Sequence, residues 1–150
     1  MTRDQVLSRL QNLCARSEHC AADVYRKALK ALEGDAEAAA GVVAALVGDG
    51  YVDDLRYATA FARDKAALTG WGPVKIRFAL RAKGLPEETV AAALAALEPE
   101  RAEEKLRRLV EAKARSLEGD PQRRLKLLKF ALGRGYDYDS VEKIIRESGL

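Results

Sequence analysis

The chain has 150 residues, 26 Lys and Arg against 23 Asp and Glu, a net charge of +3, and 48% hydrophobic residues. That length suits one domain or a short array of small units with a sizeable core. Two cysteines are too few for a disulfide scaffold, and the most apolar run, AAAGVVAALV at 38–47, is about half the ~20 residues of a membrane span.

Hydrophobic spacing of three to four persists from end to end, and β-branched runs bounded by turns are absent, so the reading is all-α. Val6, Leu10 and Leu13 form the first stripe, in an N-terminus too amphipathic for a secretory signal. Val24, Ala28 and Leu32 form the second, closed by EGD at 33–35, and Val43, Leu46 and Val47 the third, closed by GDG at 48–50. Tyr57, Phe61 and Leu68 lie on the helix that follows, which stops at TGWGP. Ile76 and Leu80 run to Gly84, and Val90, Leu94 and Leu97 to Pro99. Leu106, Leu109 and Val110 lead toward EGDP at 118–121; Leu127, Leu128 and Ala131 lead to Gly135; Val141, Ile144 and Ile145 close the chain. About nine short helices are expected.

Gly34, Gly84 and Gly135 each sit between two short helices, at separations of 50 and 51 residues. Past each the apolar spacing recurs, as Ala40, Val43, Ala44 and Val47, as Val90, Ala93, Leu94 and Leu97, and as Val141, Ile144 and Ile145. Before the glycines Ile76 and Leu80 stand opposite Leu127 and Ala131, whereas the match before Gly34 needs a one-residue slip. The expectation is three tandem three-helix modules, at 1–50, 51–98 and 99–150, stacked in an elongated, curved array.

YVDDLRYATAFARDK at 51–65 holds the most suggestive acids, Asp53, Asp54 and Asp64. Asp53 stands just before the apolar periodicity, where an N-cap belongs, and Asp54 adds favourable charge to the first turn. No His, Cys, Lys or Ser stands at a spacing that would make them a catalytic pair. Asp64 is expected in solvent or in an ion pair. Cys14, His19 and Cys20 fall short of the four ligands of a structural zinc site, so buried thiols beside a helix-boundary His are expected, and no metal or cofactor. Trp71, between two glycines and before Pro73, could stack on a base or anchor an interface, but packing over a junction is the expected role. Phosphate loops, nucleophile elbows, HExxH and EF-hand patterns are absent, so an enzyme reading has no support.

Basic residues gather on the middle helix of each module: Arg26, Lys27 and Lys30; Lys75, Arg77, Arg81 and Lys83; Arg123, Arg124, Lys126, Lys129 and Arg134. No Asp or Glu lies between Asp64 and Glu87 or between Asp120 and Asp137, and residues 101–150 carry thirteen basic against nine acidic side chains. Two readings stay open: a solvated face, or a basic strip suited to an acidic protein surface, a phosphate backbone, or both.

GYVDDLRYATAFARDK, followed by GWGPVKIRFALRAKGL at 70–85, resembles the signature of the RecX family of regulatory proteins. The resemblance lies in Tyr51 to Asp54, then Arg56, Tyr57, Ala58 and Phe61, then Gly70, Ile76, Leu80 and Gly84. CARSEHCAADVYRKAL at 14–29 and RRLKLLKFALGRGYDYDSV at 123–141 are similar to the family's flanking repeats. The resemblance implies tandem three-helix repeats and a non-enzymatic cytoplasmic modulator of the recombinase RecA in DNA repair, homologous recombination and the SOS response. Such a protein would bind the groove of the RecA–single-stranded-DNA filament and inhibit or modulate strand exchange, ATP turnover and filament growth. Lys75, Arg77, Arg81, Lys83, Arg124, Lys126, Lys129 and Arg134 are the expected contact residues, on a monomer. The alternative is a basic helical module that binds single-stranded nucleic acid without RecA.

Overall fold

The computed structural model describes residues 1–150 and contains nine helices and no strand. They are α1 (Arg3–Arg16), α2 (Ala21–Ala31), α3 (Ala36–Gly48), α4 (Asp54–Leu68), α5 (Pro73–Ala82), α6 (Glu87–Ala95), α7 (Pro99–Ser116), α8 (Arg123–Gly133) and α9 (Tyr138–Glu147). Local chemistry sets several starts. Thr2 and Gln5 exchange a capping box at α1 (3.2 and 2.9 Å), and Asp35 and Asp137 accept from Ala38 N–H (3.1 Å) and Ser140 N–H (3.0 Å). Pro99 opens α7, where its missing N–H costs nothing. None of the helices is long and apolar enough to cross a membrane.

Packing divides the chain into two units, Met1–Phe61 with Leu80–Ala93, and Ala62–Ala79 with Leu94–Leu150. In the first, Val6, Leu10 and Cys14 of α1 close on Val24 and Ala28 of α2, on Ala39, Val42 and Leu46 of α3, and on Val52. In the second, Leu106, Val110 and Ala114 of α7 close on Leu127 and Ala131 of α8, on Tyr136, and on Val141, Ile144 and Ile145 of α9. Burying each Val, Leu or Ile among them contributes roughly 1.5–3 kcal/mol, which makes these faces the main stabilising force. Helices α4, α5 and α6 each run through both units.

Two faces and one register differ from the sequence reading. On α3 the buried residues are Ala39, Val42 and Leu46, while Ala40, Ala44 and Val47 are exposed and Val43 is half-buried. The cause is the loop: α3 begins two residues after Gly34, but α6 and α9 begin three after Gly84 and Gly135. One residue turns a helix by about 100°, so spacing carried over from the later glycines lands on the wrong face. The residue missing from the first loop is the counterpart of Leu85 and Tyr136, both buried. Ahead of the glycines the slip is two residues, not one: buried Val24 and Ala28 stand ten and six before Gly34, Ile76 and Leu80 eight and four before Gly84. Finally, α4 buries Ala58 and Ala62 fully, with Tyr57 and Phe61 half-buried, and Leu68 at its last turn is 80% exposed.

Candidate functional site

Asp53 and Asp54 have separate, structural roles. Asp53 accepts from Arg56 N–H at 3.0 Å, capping its own helix α4. Asp54 instead accepts from Ala21 N–H at 2.8 Å, the first amide of α2, whose own N-cap residue Cys20 makes no side-chain cap. Arg56 then ties the same corner together, donating to the carbonyls of Gly50 (3.0 Å) and Tyr51 (3.3 Å) and pairing with Glu18. YVDDLR therefore clamps the loops before α2 and α4. Asp64 is exposed. The second acid's role escaped the sequence reading because its partner lies 33 residues away.

Cys14 and Cys20 are buried free thiols, and burial pushes both thiols up. His19 lies 3.0 Å from the Ser17 hydroxyl.

Along α5 and just beyond it, the four expected contact residues have different surroundings. Lys75 is half-buried with its ammonium 4.7 Å from the Trp71 ring, and Arg77 is exposed. Arg81 makes a two-pronged bond to Glu87 (2.8 and 2.9 Å). Lys83 reaches Asp23 of α2 at 3.0 Å. Burial alone would raise the Asp23 carboxyl, but bonds from Lys83, Cys20 and Arg26 outweigh it and hold it below the ordinary carboxylate range.

The α8 set is similarly varied. Arg124 pairs with Glu142 (3.2 Å), Lys126 pairs with Asp120 (2.5 Å), and Lys129 is exposed. Arg134 donates to the Thr69 carbonyl (3.2 Å) and stacks over Phe130 at 5.3 Å. Much of the cationic charge is thus engaged within the protein, a damping that spacing along the sequence does not reveal.

Trp71 is half-buried in the loop between α4 and α5. Its backbone N–H donates to the Lys65 carbonyl at 3.0 Å, and the ammonium groups of Lys65 and Lys75 lie 4.6 and 4.7 Å from its ring. Next to it the start of α5 meets the end of α8 backbone to backbone: Gly72 N–H donates to Arg134 O (2.7 Å) and Val74 N–H to Gly135 O (2.9 Å). A Cβ on Gly72 would come within 2.5 Å of the Gly135 carbonyl, and one on Gly135 would overlap Lys75. Trp71 also lines a cleft of about 870 Å³ with Arg63, Leu97, Lys105 and Leu109.

The sequence reading also missed exposed apolar side chains on α5 and α8. Phe78 is 76% and Val74 54% exposed, four residues apart and opposite the Ile76–Leu80 stripe. On α8, Leu125 and Leu132 are 49% and 42% exposed. The i, i+4 spacing of Val74 and Phe78 was visible in the sequence; their exposure was not.

A model of the second three-helix domain of RecX matches residues 53–94, from Asp53 through most of α6. The regulatory protein RecX of Xanthomonas campestris pv. campestris (strain B100) is 32% identical over 140 residues, covering 93% of this chain and 85% of the relative. That of Stenotrophomonas maltophilia (strain R551-3) is 36% identical over 143 residues, with 93% and 85% covered. A crystal structure of a regulatory protein RecX superposes with TM-score 0.84 at 25% identity, covering 95% of this chain and 70% of the other. RecX from Lactobacillus salivarius gives 0.86 at 22% identity, covering 97% and 95%, a likeness of fold.

Proposed function

The chain belongs to the RecX family, and from that premise we propose that it is a non-enzymatic regulator of a RecA recombinase. In this reading it binds the groove of the RecA–single-stranded-DNA filament as a cytoplasmic monomer and restrains strand exchange, ATP turnover and filament growth. Three tandem modules, at 1–50, 51–98 and 99–150, would each add a modest contact, so that affinity comes from multivalency rather than one deep site.

One observation carries the reading: α5 and α8 contain no acid, and both present basic side chains to solvent, among them Arg77, Arg124, Lys126 and Lys129. Exposed cations on acid-free helices suit an anionic partner and raise its rate of encounter. Lys75, Arg77, Arg81, Lys83, Arg124, Lys126, Lys129 and Arg134 are the proposed contact set. Arg77 and Lys129 are its probes, one exposed cation from each of the two acid-free helices.

The test is inhibition of RecA ATPase and strand exchange by the purified protein. The expected result is inhibition by the parent, strong weakening by the double variant Arg77→Glu, Lys129→Glu, and little effect of Arg9→Glu, Arg115→Glu. Equal inhibition by all three proteins would remove the basic face from the contact surface. No inhibition by the parent, with tight single-stranded DNA binding that falls steeply with salt, would favour the direct nucleic-acid reading.

A further inference from the structure

Helices α5 and α8 each expose apolar side chains beside a cation. Val74, Arg77 and Phe78 lie at positions i, i+3 and i+4 of α5, and Leu125, Lys129 and Leu132 at i, i+4 and i+7 of α8, each set on one side of its helix. The opposite sides hold the buried pairs Ile76–Leu80 and Leu127–Ala131. One position repeats with the modules: Val74 and Leu125 stand 51 residues apart, as Gly84 and Gly135 do, and are 54% and 49% exposed, whereas Lys129 stands 51 residues after Phe78 and Arg81 51 before Leu132. The glycine junction brings the two helices end to end in contact, since Gly135, three residues past Leu132, accepts from Val74 N–H at 2.9 Å.

Single exposed apolar residues are ordinary, but a Phe at 76% exposure one turn from an exposed Val, on a helix whose start bonds the end of another bearing two exposed leucines, is a docking feature. We propose that this face docks an acidic protein surface bearing an apolar recess, with Phe78 and Val74 as anchors and Leu125 and Leu132 extending the contact. The inference rests on the RecA-filament reading and names the part of the face that holds the complex together. Charge complementarity selects the partner: neither helix carries an acid, and Arg77 and Lys129 flank the apolar side chains. Three of the four apolar residues are aliphatic and cannot stack on bases, which favours protein over single-stranded nucleic acid. Anchors and charges then divide the work, apolar burial slowing dissociation and the cations setting the on-rate and salt dependence.

The experiment compares the full-length parent, V74S/F78S, F78L and R77Q/K129Q in association and dissociation kinetics on RecA–single-stranded-DNA filaments at several salt concentrations. V74S/F78S is expected to melt like the parent and to dissociate at least about tenfold faster with the salt slope unchanged. F78L retains most of the residence time, and R77Q/K129Q lowers the on-rate and flattens the slope. Parent-like dissociation of V74S/F78S would overturn the anchor assignment while leaving the family reading intact. Failure of the parent itself to bind filaments overturns both. Loss in V74S/F78S of DNA binding without RecA, with filament residence unchanged, would make this a nucleic-acid face.

Discussion

Asp54, the first residue of α4, accepts the N–H of Ala21, the first residue of α2, at 2.8 Å, while its neighbour Asp53 caps α4 itself. Two adjacent acids thus start two different helices. Asp53→Ala and Asp54→Ala should each lower stability by roughly 0.5–2 kcal/mol in chemical denaturation. Asp53→Asn should be nearly silent, since Asn caps as well as Asp. A fully stable Asp53→Asn variant that differs from the parent in the proposed RecA ATPase assay would give the carboxylate a functional role.

Gly84 and Gly135 both have positive φ, +82° and +97°, but their surroundings differ. A Cβ on Gly84 meets only Ala22 at 4.0 Å, so Gly84→Ala should cost only the left-handed strain of roughly 1–2 kcal/mol. A Cβ on Gly135 overlaps Lys75 as well, and one on Gly72 meets the Gly135 backbone. Gly135→Ala should therefore cost clearly more than Gly84→Ala. Equal losses in denaturant titrations would mean that the α5–α8 junction yields freely.

Glu33 is the single non-glycine residue with positive φ, +55°, and it is exposed. A left-handed residue with a Cβ stores about 1 kcal/mol, of which part is returned when the unfolded chain gains freedom. Glu33→Gly should raise stability by about 0.5 kcal/mol. Glu37→Gly, inside α3, should lower it by about 1 kcal/mol. A fall in melting temperature for Glu33→Gly would show that its side chain holds something the backbone strain does not reveal.

The Asp23–Lys83 pair sets a pH window. Asp23 is held below its ordinary value, so its contribution is complete above about pH 4 and disappears as pH falls through the lower folded value. Lys83, raised chiefly by its bond to Asp23, contributes fully below about pH 10.4 and loses that contribution as pH rises through its higher folded value. The pair is partly solvated, which limits it to about 1 kcal/mol or less. The stability gap between the parent and Asp23→Asn, from melts across pH 3–8, should be constant at neutral pH and shrink below about pH 4. A gap that persists unchanged to pH 3 would remove Asp23 from the acid response.

What the sequence by itself determined is local. Helix positions follow from spacing, Gly, Pro and capping acids within a few residues, so all nine elements, the Asp53 cap and the positive φ of Gly84 and Gly135 were legible. The signature around Tyr51–Phe61 likewise marked the family. Tertiary structure alone decided what depends on distant partners: Asp54 on Ala21, Lys83 on Asp23, and Gly72 on Gly135. It also decided the α3 face, because one missing loop residue rotates every later side chain by about 100°. The candidate surface lies on the same divide. Spacing puts Arg77 and Arg81 on one face of α5, but only the fold turns Arg81 onto Glu87 and leaves Phe78 in solvent. A helix's period names its faces; what covers each is set by chain brought there from far along the sequence.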